Sequence, residues 1–483
     1  MKKHFNKIAQ IDIESGKKDT FANLLQRCIR VALYMADKQI TRADVITLCT
    51  THHLNTVVPY IATQFLGAKL NCINPLFPLD EIKYIMDTLR PIMIFAVPEV
   101  AAVLEEMIRD LSLASVIVVF GRSKKHLEFC DFLKPHANED KFEPIKIDDL
   151  RETALYSTTS GSTGLLKIVS LNHYSFLGQS PNFIIRDHTN DDIHLSYITL
   201  GWISADFDIS HSLRKGYCRL LSERFDGEGV WNTIDKYKPT VVVIPPGKVI
   251  EMLDHRKGNG EVHSVLDVMI LGEKLSKNYK LQLREIFTQA SVREIKKTEK
   301  IGSVGFPVPG MSYKIVDIET NEPLGPNRHG ELRLKSKFIT NPYHKTVSFN
   351  VFDEEGWWKT GDFAYYDEDH CLYVLGRLSA AFKYQEYLII PEILENVLME
   401  HPVVKQAAVV GIPTNDGHHA MGLIVLKPGF RVSEEEIAKF VEDKVPEERK
   451  LRAGVKFVKS LSLTISNRIK RKYLQQMILE GKL

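Results

Sequence analysis

The sequence predicts an α/β fold with a large N-terminal α/β domain and a small α+β C-terminal domain. Before Arg377, short β-branched runs alternate with segments of helical periodicity, which favours parallel strands joined by helices. After Arg377 the alternation gives way to strand-like runs around one helical segment. A length of 483 residues allows about three domains on a length-based prior. The change of character at Arg377 nevertheless indicates two domains, 1–376 and 377–483.

The N-terminal elements follow from two periodicities. The first helix is expected over 21–38, where apolar residues recur at helical spacing: Leu24, Leu25, Cys28, Val31 and Ala32. Short β-branched or apolar runs, several of them closed by proline or glycine, predict buried strands. The remaining expected elements are strand 43–49, helix 57–66, strand 70–73, helix 81–89, and strands 92–96, 115–120, 241–244 and 268–271.

The C-terminal segment is predicted to form a compact α+β unit of its own. Its expected elements are strands 404–412, 421–426 and 454–458, with a helix at 434–445. The sequence contains no internal repeat and no low-complexity stretch, which is typical of ordinary globular domains.

Composition and charge exclude several classes of function. Lys and Arg number 63 and Asp and Glu number 61, a formal net charge of +2, so nothing favours a nucleic-acid partner. The six cysteines are scattered without a C-x-x-C pair, which indicates free thiols in a reducing compartment. No apolar run reaches the ~18 residues of a membrane span, so no transmembrane segment is expected. The adjacent pairs His52-His53 and His418-His419 cannot share one helix face, so no zinc site is expected.

The stretch from Ser157 to Lys167 carries the strongest chemical signal in the chain. Residues 157–164 are all serine, threonine or glycine, and Lys167 follows. Glycine exposes backbone N–H groups, hydroxyls add donors and lysine adds a point charge, a combination that suits phosphate oxygens. The spacing is not that of a Walker A loop. The other interpretation is a polar turn between two strands.

This stretch resembles the phosphate loop of the adenylate-forming superfamily, which includes acyl-CoA synthetases, coumarate-CoA-type ligases and luciferase-like proteins. The family writes the loop as S-G-T-T-G-x-P-K-G, and Leu166 and Ile168 depart from it. The resemblance runs from about residue 18 to the end, over further segments in the family's order. These segments are Gly302–Pro307 (G-S-V-G-x-P), Trp358–Asp362 (Y-x-T-G-D), Gly376–Leu378 (part of D-R-x-K), Pro391–Glu395 (P-x-E-L-E) and His401-Pro402.

The resemblance implies a two-step ligase reaction. A carboxylate attacks the α-phosphate of ATP to give an acyl-adenylate and pyrophosphate, and coenzyme A then takes the acyl group. The expected cofactors are ATP, Mg²⁺ and coenzyme A, and the expected partner is a small fatty or aromatic carboxylic acid. The residues implied to bind the nucleotide are Thr159, Ser160, Gly161, Ser162, Thr163, Gly164, Lys167, Asp362 and Arg377.

Within that set, Lys167 would hold the β- and γ-phosphates and Asp362 would accept ribose hydroxyls, because a carboxylate can take two donors. Arg377 would support the ribose from the hinge between the two domains. The alternatives are structural: Asp362 in a Gly-Asp turn and Arg377 in a surface ion pair.

Two departures from the family concern catalysis. The family's C-terminal T-x-x-G-K-x-x-R corresponds to 464–471, so its catalytic lysine is Arg468 here, which keeps the charge and changes the shape. Lys470 is a possible substitute, and a solvated basic run is the alternative. The family's Y-G-x-T-E lacks its Tyr-Gly here, which leaves Thr298 and Glu299 as candidates for the Thr-Glu pair at the α-phosphate and Mg²⁺. Glu299 is thus the expected metal ligand, unless this stretch is simply solvated.

The acid and thiol sites are less well determined. Trp202 lies in a segment similar to an aromatic gate of insect relatives and would face the acyl chain, although a core tryptophan fits equally well. Gly272, which follows strand 268–271, is the second expected substrate residue. Lys383 is expected on the coenzyme A side of the C-terminal lid. Glu386 occupies the position of a family glycine that lines the pantetheine route, so it is expected to hinder thiol entry.

Two functions follow from these residues. The first is an ATP-dependent acid–CoA ligase with impaired catalysis, and the alternative is a catalytically degenerate relative that binds nucleotide, acyl-adenylate or a protein partner. A luciferase-like oxygenation is a remote third. The tripeptide Gly481-Lys482-Leu483 resembles the S-K-L peroxisomal address, so the expected location is the peroxisome, through its import receptor, or the cytoplasm.

Overall fold

The computed structural model describes residues 1–159, 166–179, 189–272, 275, 277–293, 300, 302–339, 344, 351–464 and 468–483. The chain forms two compact units. The first unit comprises Met1–Leu271, Ile286–Arg293 and Lys337–Val347, and the second comprises Gly272–Glu285, Glu294–Ser336 and Ser348–Leu483. The expected boundary between Gly376 and Arg377 falls within the second unit and stays a prediction.

The first unit is an α/β structure, which confirms the predicted fold class. Its strands are β1 Ile8–Asp12, β2 Lys18–Thr20, β3 Val45–Cys49, β4 Lys69–Ile73, β5 Met93–Ala96, β6 Val116–Val119, β7 Leu127–Glu128, β8 Thr153–Thr159, β9 Lys167–Asn172, β10 Ile193–Ser196, β11 Cys218–Leu221, β12 Val241–Ile244, β13 Asp267–Ile270 and β14 Ser291–Arg293. Its helices are α1 Phe21–Asp37, α2 Val57–Phe65, α3 Leu79–Leu89, α4 Pro98–Asp110, α5 His173–Gln179, α6 Ile203–Lys215, α7 Gly229–Tyr237 and α8 Pro246–Asp254. Helix α9, Lys277–Ile286, follows β13 in the chain.

Two largely parallel sheets organise the first unit, each described with seven strands. One has the order β7-β6-β5-β3-β4-β8-β9 and the other β14-β13-β12-β10-β11-β1-β2. In the first sheet β3 pairs in parallel with both β4 and β5, and in the second β10 pairs in parallel with both β11 and β12. The chain leaves each of these central strands toward one side and later returns on the other. Strands β3 and β10 are therefore the topological switch points of the two sheets.

Helix α1 shows why these segments fold as predicted. The Thr20 side chain accepts a hydrogen bond from the Asn23 N–H and caps the first turn. One face of the helix is fully covered, through Phe21, Leu24, Cys28, Val31, Ala32 and Met35. Burying a large apolar side chain is worth about 1.5–3 kcal/mol, so the apolar stripe outweighs the modest helix propensity of β-branched Val31.

The second unit contains two largely antiparallel sheets. The sheet order β15-β16-β17-β18 joins Met311–Val316, Gly330–Ser336, Trp358–Tyr366 and Leu372–Arg377. The other sheet has the order β20-β19-β22-β21, with β23 added in parallel to β22. Its strands are β19 Phe382–Tyr384, β20 Tyr387–Ile389, β21 Val404–Thr414, β22 Gly417–Leu426 and β23 Val455–Phe457, and its helices are α10 Pro391–Leu398, α11 Glu434–Glu442 and α12 Arg471–Leu479.

The predicted α+β character of the C-terminal segment is confirmed. Strands β21, β22 and β23 and helix α11 lie at the expected positions, and α11 begins with a complete capping box between Ser433 and Glu436. The antiparallel sheet β15–β18 was not expected from the sequence. Among the helices within the described ranges, none is long and apolar enough to cross a membrane.

Candidate nucleotide site and family assignment

The predicted phosphate loop connects β8 to β9 in the sequence, and these two strands pair antiparallel. Thr159 and Lys167 are paired partners where the two antiparallel strands meet the loop. The Thr159 hydroxyl donates to the Lys167 carbonyl oxygen at 3.5 Å, and Thr159 is exposed while Lys167 is half-buried. The expected phosphate-binding residues between them, Ser160, Gly161, Ser162, Thr163 and Gly164, lie outside the described residues. The described hairpin therefore brings the lysine and the first threonine to the two ends of the loop.

Asp362 and Arg377 face each other across strands β17 and β18. They are paired partners in the antiparallel ladder, and Arg377 Nε lies 3.0 Å from Asp362 Oδ1. Arg377 also donates from Nη1 to the carbonyl oxygen of Thr360 at 2.9 Å, while the Thr360 hydroxyl accepts from the Asp362 N–H at 3.0 Å. Gly361 supplies the φ of +70° that the bend between these residues requires. The geometry holds one carboxylate oxygen of Asp362 against a guanidinium.

Opposing effects act on the pKa of the Asp362 carboxyl. Burial raises the pKa of the Asp362 carboxyl above its usual value, and the neighbouring Arg377 charge works against that rise. The charge of Arg468 lowers the pKa of Asp362 as well, while Glu392 raises it. Arg377 and Arg468, which come from separate sequence motifs, thus act electrostatically on one carboxylate within the second unit.

Arg468 closes a tight turn before helix α12. The Arg468 N–H donates to the Thr464 hydroxyl at 3.0 Å, and the Thr464 N–H donates back to the Arg468 carbonyl oxygen at 2.7 Å. An isolated antiparallel β-bridge between Leu463 and Ile469 flanks these hydrogen bonds. Arg468 is exposed. Residues 465–467 are not among those described.

A partly buried ion pair lies next to this turn in the sequence, and sequence reasoning did not single it out. Arg471 Nη2 donates to both carboxylate oxygens of Glu395, at 2.8 and 2.7 Å, and lies 3.3 Å from Glu392. Glu395 also accepts from the Val409 N–H at 2.8 Å. Burial raises the pKa of Glu395 to about 7, with Arg471 opposing that rise. Glu395 lies in the P-x-E-L-E segment and Arg471 in the T-x-x-G-K-x-x-R segment. These motif positions are the sequence signal that points to the pair.

Close packing explains why position 376 is a glycine. A Cβ built there would lie 2.5 Å from Glu392 Oε2 and 2.5 Å from Cγ2 of Ile390. Strand β18, which carries Arg377, is therefore packed directly against the start of α10. Because Glu392 also approaches Arg471, the carboxylate links the strand of Arg377 to the helix that follows Arg468.

The remaining expected residues are spread over both units. Trp202 is the half-buried residue that precedes α6, and it packs against the main core of the first unit. Gly272 is exposed after β13 with φ of +113°. Lys383 is an exposed residue of β19, and Glu386 is exposed at the β19–β20 turn, next to Gln385 with φ of +50°. Thr298 and Glu299 lie outside the described residues.

Comparison with known proteins assigns the family. The chain matches the model of the AMP-binding enzyme family over residues 1–344 and that of the AMP-binding enzyme C-terminal domain over residues 394–468. It is 28% identical to a probable CoA ligase of Humulus lupulus, over 98% of this chain and 90% of that protein.

Two solved structures place the fold among the same enzymes. The luciferase-like enzyme of the nonluminescent mealworm Zophobas morio is 29% identical with a TM-score of 0.72, over 78% of this chain and 93% of that one. ATP-bound MatB of Rhodopseudomonas palustris is 18% identical with a TM-score of 0.86, over 99% of this chain and 97% of that one. These neighbours are adenylate-forming enzymes with a large N-terminal and a small C-terminal domain, as the sequence predicts. The chain belongs to the AMP-binding enzyme family, the adenylate-forming superfamily of CoA ligases and luciferases.

Proposed function

We propose that this protein is an ATP-dependent acid–CoA ligase for a fatty or aromatic carboxylate, with slowed adenylation. The observation that carries the proposal is that Arg377 and Arg468 both act on the Asp362 carboxylate. A carboxylate that can accept from ribose hydroxyls, beside two cations that can donate to phosphate oxygens, fits a nucleotide. Family membership supports the same reaction class.

The residues divide the work of adenylation between them. Asp362 accepts the ribose hydroxyls, and Arg377 holds that carboxylate in place through its ion pair at 3.0 Å. Arg468 neutralises the charge that the substrate carboxylate and the α-phosphate bring together, and Lys167 offsets the charge of the departing phosphates. Such a reaction depends on positioning and charge neutralisation, so acid–base groups are not required. ATP supplies the activated phosphoryl centre.

The expected magnesium ligand, Glu299, lies outside the described residues. The cation would neutralise phosphate charge. The described cations Lys167, Arg377 and Arg468 are long, exposed or half-buried side chains suited to the same purpose.

Slowed adenylation rests on the substitution at position 468. A guanidinium is planar and forked, whereas the ammonium of lysine is a compact point charge, so the two do not fit one close site equally well. Loss of one transition-state contact costs about 10²–10³-fold in rate. The alternative function, a degenerate relative that binds nucleotide or acyl-adenylate without turnover, is favoured by the same residue.

The thiol step is proposed to pass the β19–β20 turn. Lys383 and Glu386 are both exposed there, so the thiol would meet one positive and one negative side chain. The charge of Glu386 opposes entry of an apolar pantetheine arm and an anionic coenzyme. We expect thioester formation to be slowed independently of adenylation.

Peroxisomal location is proposed from Gly481-Lys482-Leu483, with the cytoplasm as the alternative. Fusion of the last ten residues to a fluorescent protein tests it: punctate signal supports import, and diffuse signal removes the proposal.

Pyrophosphate exchange tests the ligase proposal. The purified chain is incubated with Mg-ATP, labelled pyrophosphate and single fatty or aromatic acids. Acid-dependent exchange supports adenylation. Tight ATP binding without exchange for any acid would favour the degenerate relative.

A further inference from the structure

The tripeptide Gly481-Lys482-Leu483 completes the C-terminal cap of helix α12. The Gly481 N–H donates to the carbonyl oxygen of Ile478 at 3.0 Å, and the Lys482 N–H donates to that of Met477 at 2.9 Å. These two hydrogen bonds beyond the end of the helix form a Schellman motif. Such a motif needs one residue in the left-handed conformation, and Gly481 has a φ of +67°. The backbone of the tripeptide is therefore folded back onto the helix.

Gly481, which departs from the serine of S-K-L, is the residue that this cap requires. In the left-handed conformation a side chain is strained, because its Cβ lies too close to the following carbonyl oxygen. A Cβ built at Gly481 meets no other group within 4 Å, so the constraint is the backbone conformation and not a lack of space. A serine at this position would weaken the cap while it brought the sequence closer to the peroxisomal address.

The domain also holds the last residue, Leu483. Lys456, a half-buried residue of β23, donates from Nζ to the backbone oxygen of Leu483. The Leu483 side chain is half-buried and packs against a cluster of buried apolar residues of the second unit. That cluster consists of Ala408, Val410, Leu423, Val425, Leu461 and Leu474. A polar contact and an apolar contact both have to be broken before Leu483 leaves the domain.

Helix α12 is itself anchored, so the tripeptide is joined to a fixed element. Gln475 Nε2 donates to the carbonyl oxygen of Gly411 on β21 at 2.6 Å. The Lys482 side chain lies 2.6 Å from Glu480, but this pair is 62% and 37% exposed, and such an exposed pair contributes little. The restraint on the tripeptide therefore rests on the helix cap and on the contacts of Leu483.

We propose that these contacts hold the address closed, so that the peroxisomal import receptor binds the folded chain more weakly than it binds the released tail. This inference rests on the proposed peroxisomal location. A receptor that reads the tripeptide has to reach the backbone and side chain of Leu483, which the domain already contacts. It binds only molecules whose tail has left the domain, and the apparent affinity is reduced by that fraction.

Peptide competition on the receptor tests the closed address. The peptide-binding domain of the import receptor is loaded with a fluorescent peptide that ends in S-K-L. The competitors are the untagged full-length protein and a synthetic peptide of its last ten residues. The peptide should compete at least about fivefold better than the folded chain. Equal competition would overturn the closed address. A peptide that does not compete at all would instead contradict the proposed location, and the inference with it.

Two substitutions are designed to release the tail. Gly481→Ser strains the cap, and Lys456→Gln removes the donor to Leu483. Each chain is compared with a peptide of its own last ten residues, so that any direct effect of the serine on the receptor cancels. The advantage of peptide over chain should shrink about fivefold in Gly481→Ser and about twofold or more in Lys456→Gln. The matched control is Lys459→Gln, at a nearby exposed lysine, which should leave the advantage unchanged.

An advantage that stays unchanged in both substituted chains would overturn the role of the cap and of Lys456. Carboxypeptidase digestion gives a second measurement that does not involve the receptor. Removal of Leu483, followed by intact mass, should be slower from the folded chain than from the peptide, because the enzyme attacks the open state. Equal rates would overturn the docking of the tail. If Gly481→Ser does not fold, the comparison of the unaltered chain with its peptide still decides.

Discussion

Replacing Asp208 with asparagine should destabilise the first unit strongly. Its carboxylate accepts from Arg219 Nε at 3.0 Å and from the Tyr217 hydroxyl at 2.8 Å. The carboxylate is 5% exposed and Arg219 is 8% exposed, so water cannot compensate for a lost partner. Asparagine is neutral, and its amide group would turn a donor toward groups that now donate to Asp208. Breaking a buried ion pair from one side costs about 3–5 kcal/mol. The surrounding unit has roughly 290 residues, whose unfolding entropy near 60 °C is about 0.6 kcal/mol per kelvin.

Asp208→Asn should therefore lower the melting temperature by about 5–8 °C in differential scanning calorimetry. The control is Asp191→Asn, since Asp191 is 84% exposed in its pair with Lys7 and should shift melting by less than about 2 °C. The folded pKa of Asp208 is lowered, so its contribution is present above its unfolded pKa and is lost as pH falls further. The difference between wild type and Asp208→Asn should thus persist from pH 8 to 5 and narrow below about pH 4. A shift no larger than that of the control would refute the reasoning.

Three further predictions concern the proposed reaction. Asp362→Asn should weaken ATP binding about tenfold in calorimetry, whereas Asp369→Asn, at an exposed pair with Lys300, should leave it unchanged; equal effects would remove the ribose role. Arg468→Lys should raise pyrophosphate exchange about tenfold or more, and an unchanged rate would show that Arg468 does not limit adenylation. Glu386→Gly should speed thioester formation while the adenylation rate stays constant. An unchanged rate of thioester formation would show that Glu386 does not hinder entry of the thiol.

Local sequence patterns were sufficient to predict most helices and strands of the hydrophobic core. The runs 241–244 and 268–271 correspond to β12 and β13 within one residue, because β-branched residues in a fully covered strand need no alternation. Helix α1 ends at Asp37, one residue before the expected end. Such segments are determined by their own burial, which sequence periodicity reports directly.

The polar interior could not be predicted in the same way. Asp206 and Asp208 on α6 are buried, yet charged residues in a helix ordinarily indicate its solvent face. The partners of Asp208 are His194, Tyr217 and Arg219, from β10 and the β11 region, so only the tertiary fold brings them together. Burial raises the pKa of Asp206 to about 7, against the Tyr60 hydrogen bond.

In the candidate site too, local motifs predicted some residues, whereas other contacts depend on the tertiary fold. The motif pattern predicted Asp362, Arg377 and Arg468, and the structure adds their mutual electrostatics. The Arg471–Glu395 pair joins residues 76 positions apart, a separation at which no local pattern operates. The close approach of Glu392 to Gly376 is likewise a packing fact, visible only once α10 lies on β18.

Analysis of the reaction products tests the proposed ligase activity. The purified protein is incubated with Mg-ATP, coenzyme A and a mixed pool of fatty and aromatic acids, and the products are identified by mass spectrometry. We expect AMP together with an acyl-CoA, formed slowly from one or more acids of the pool. Folded protein that binds ATP yet forms neither AMP nor any acyl-CoA would contradict the ligase assignment.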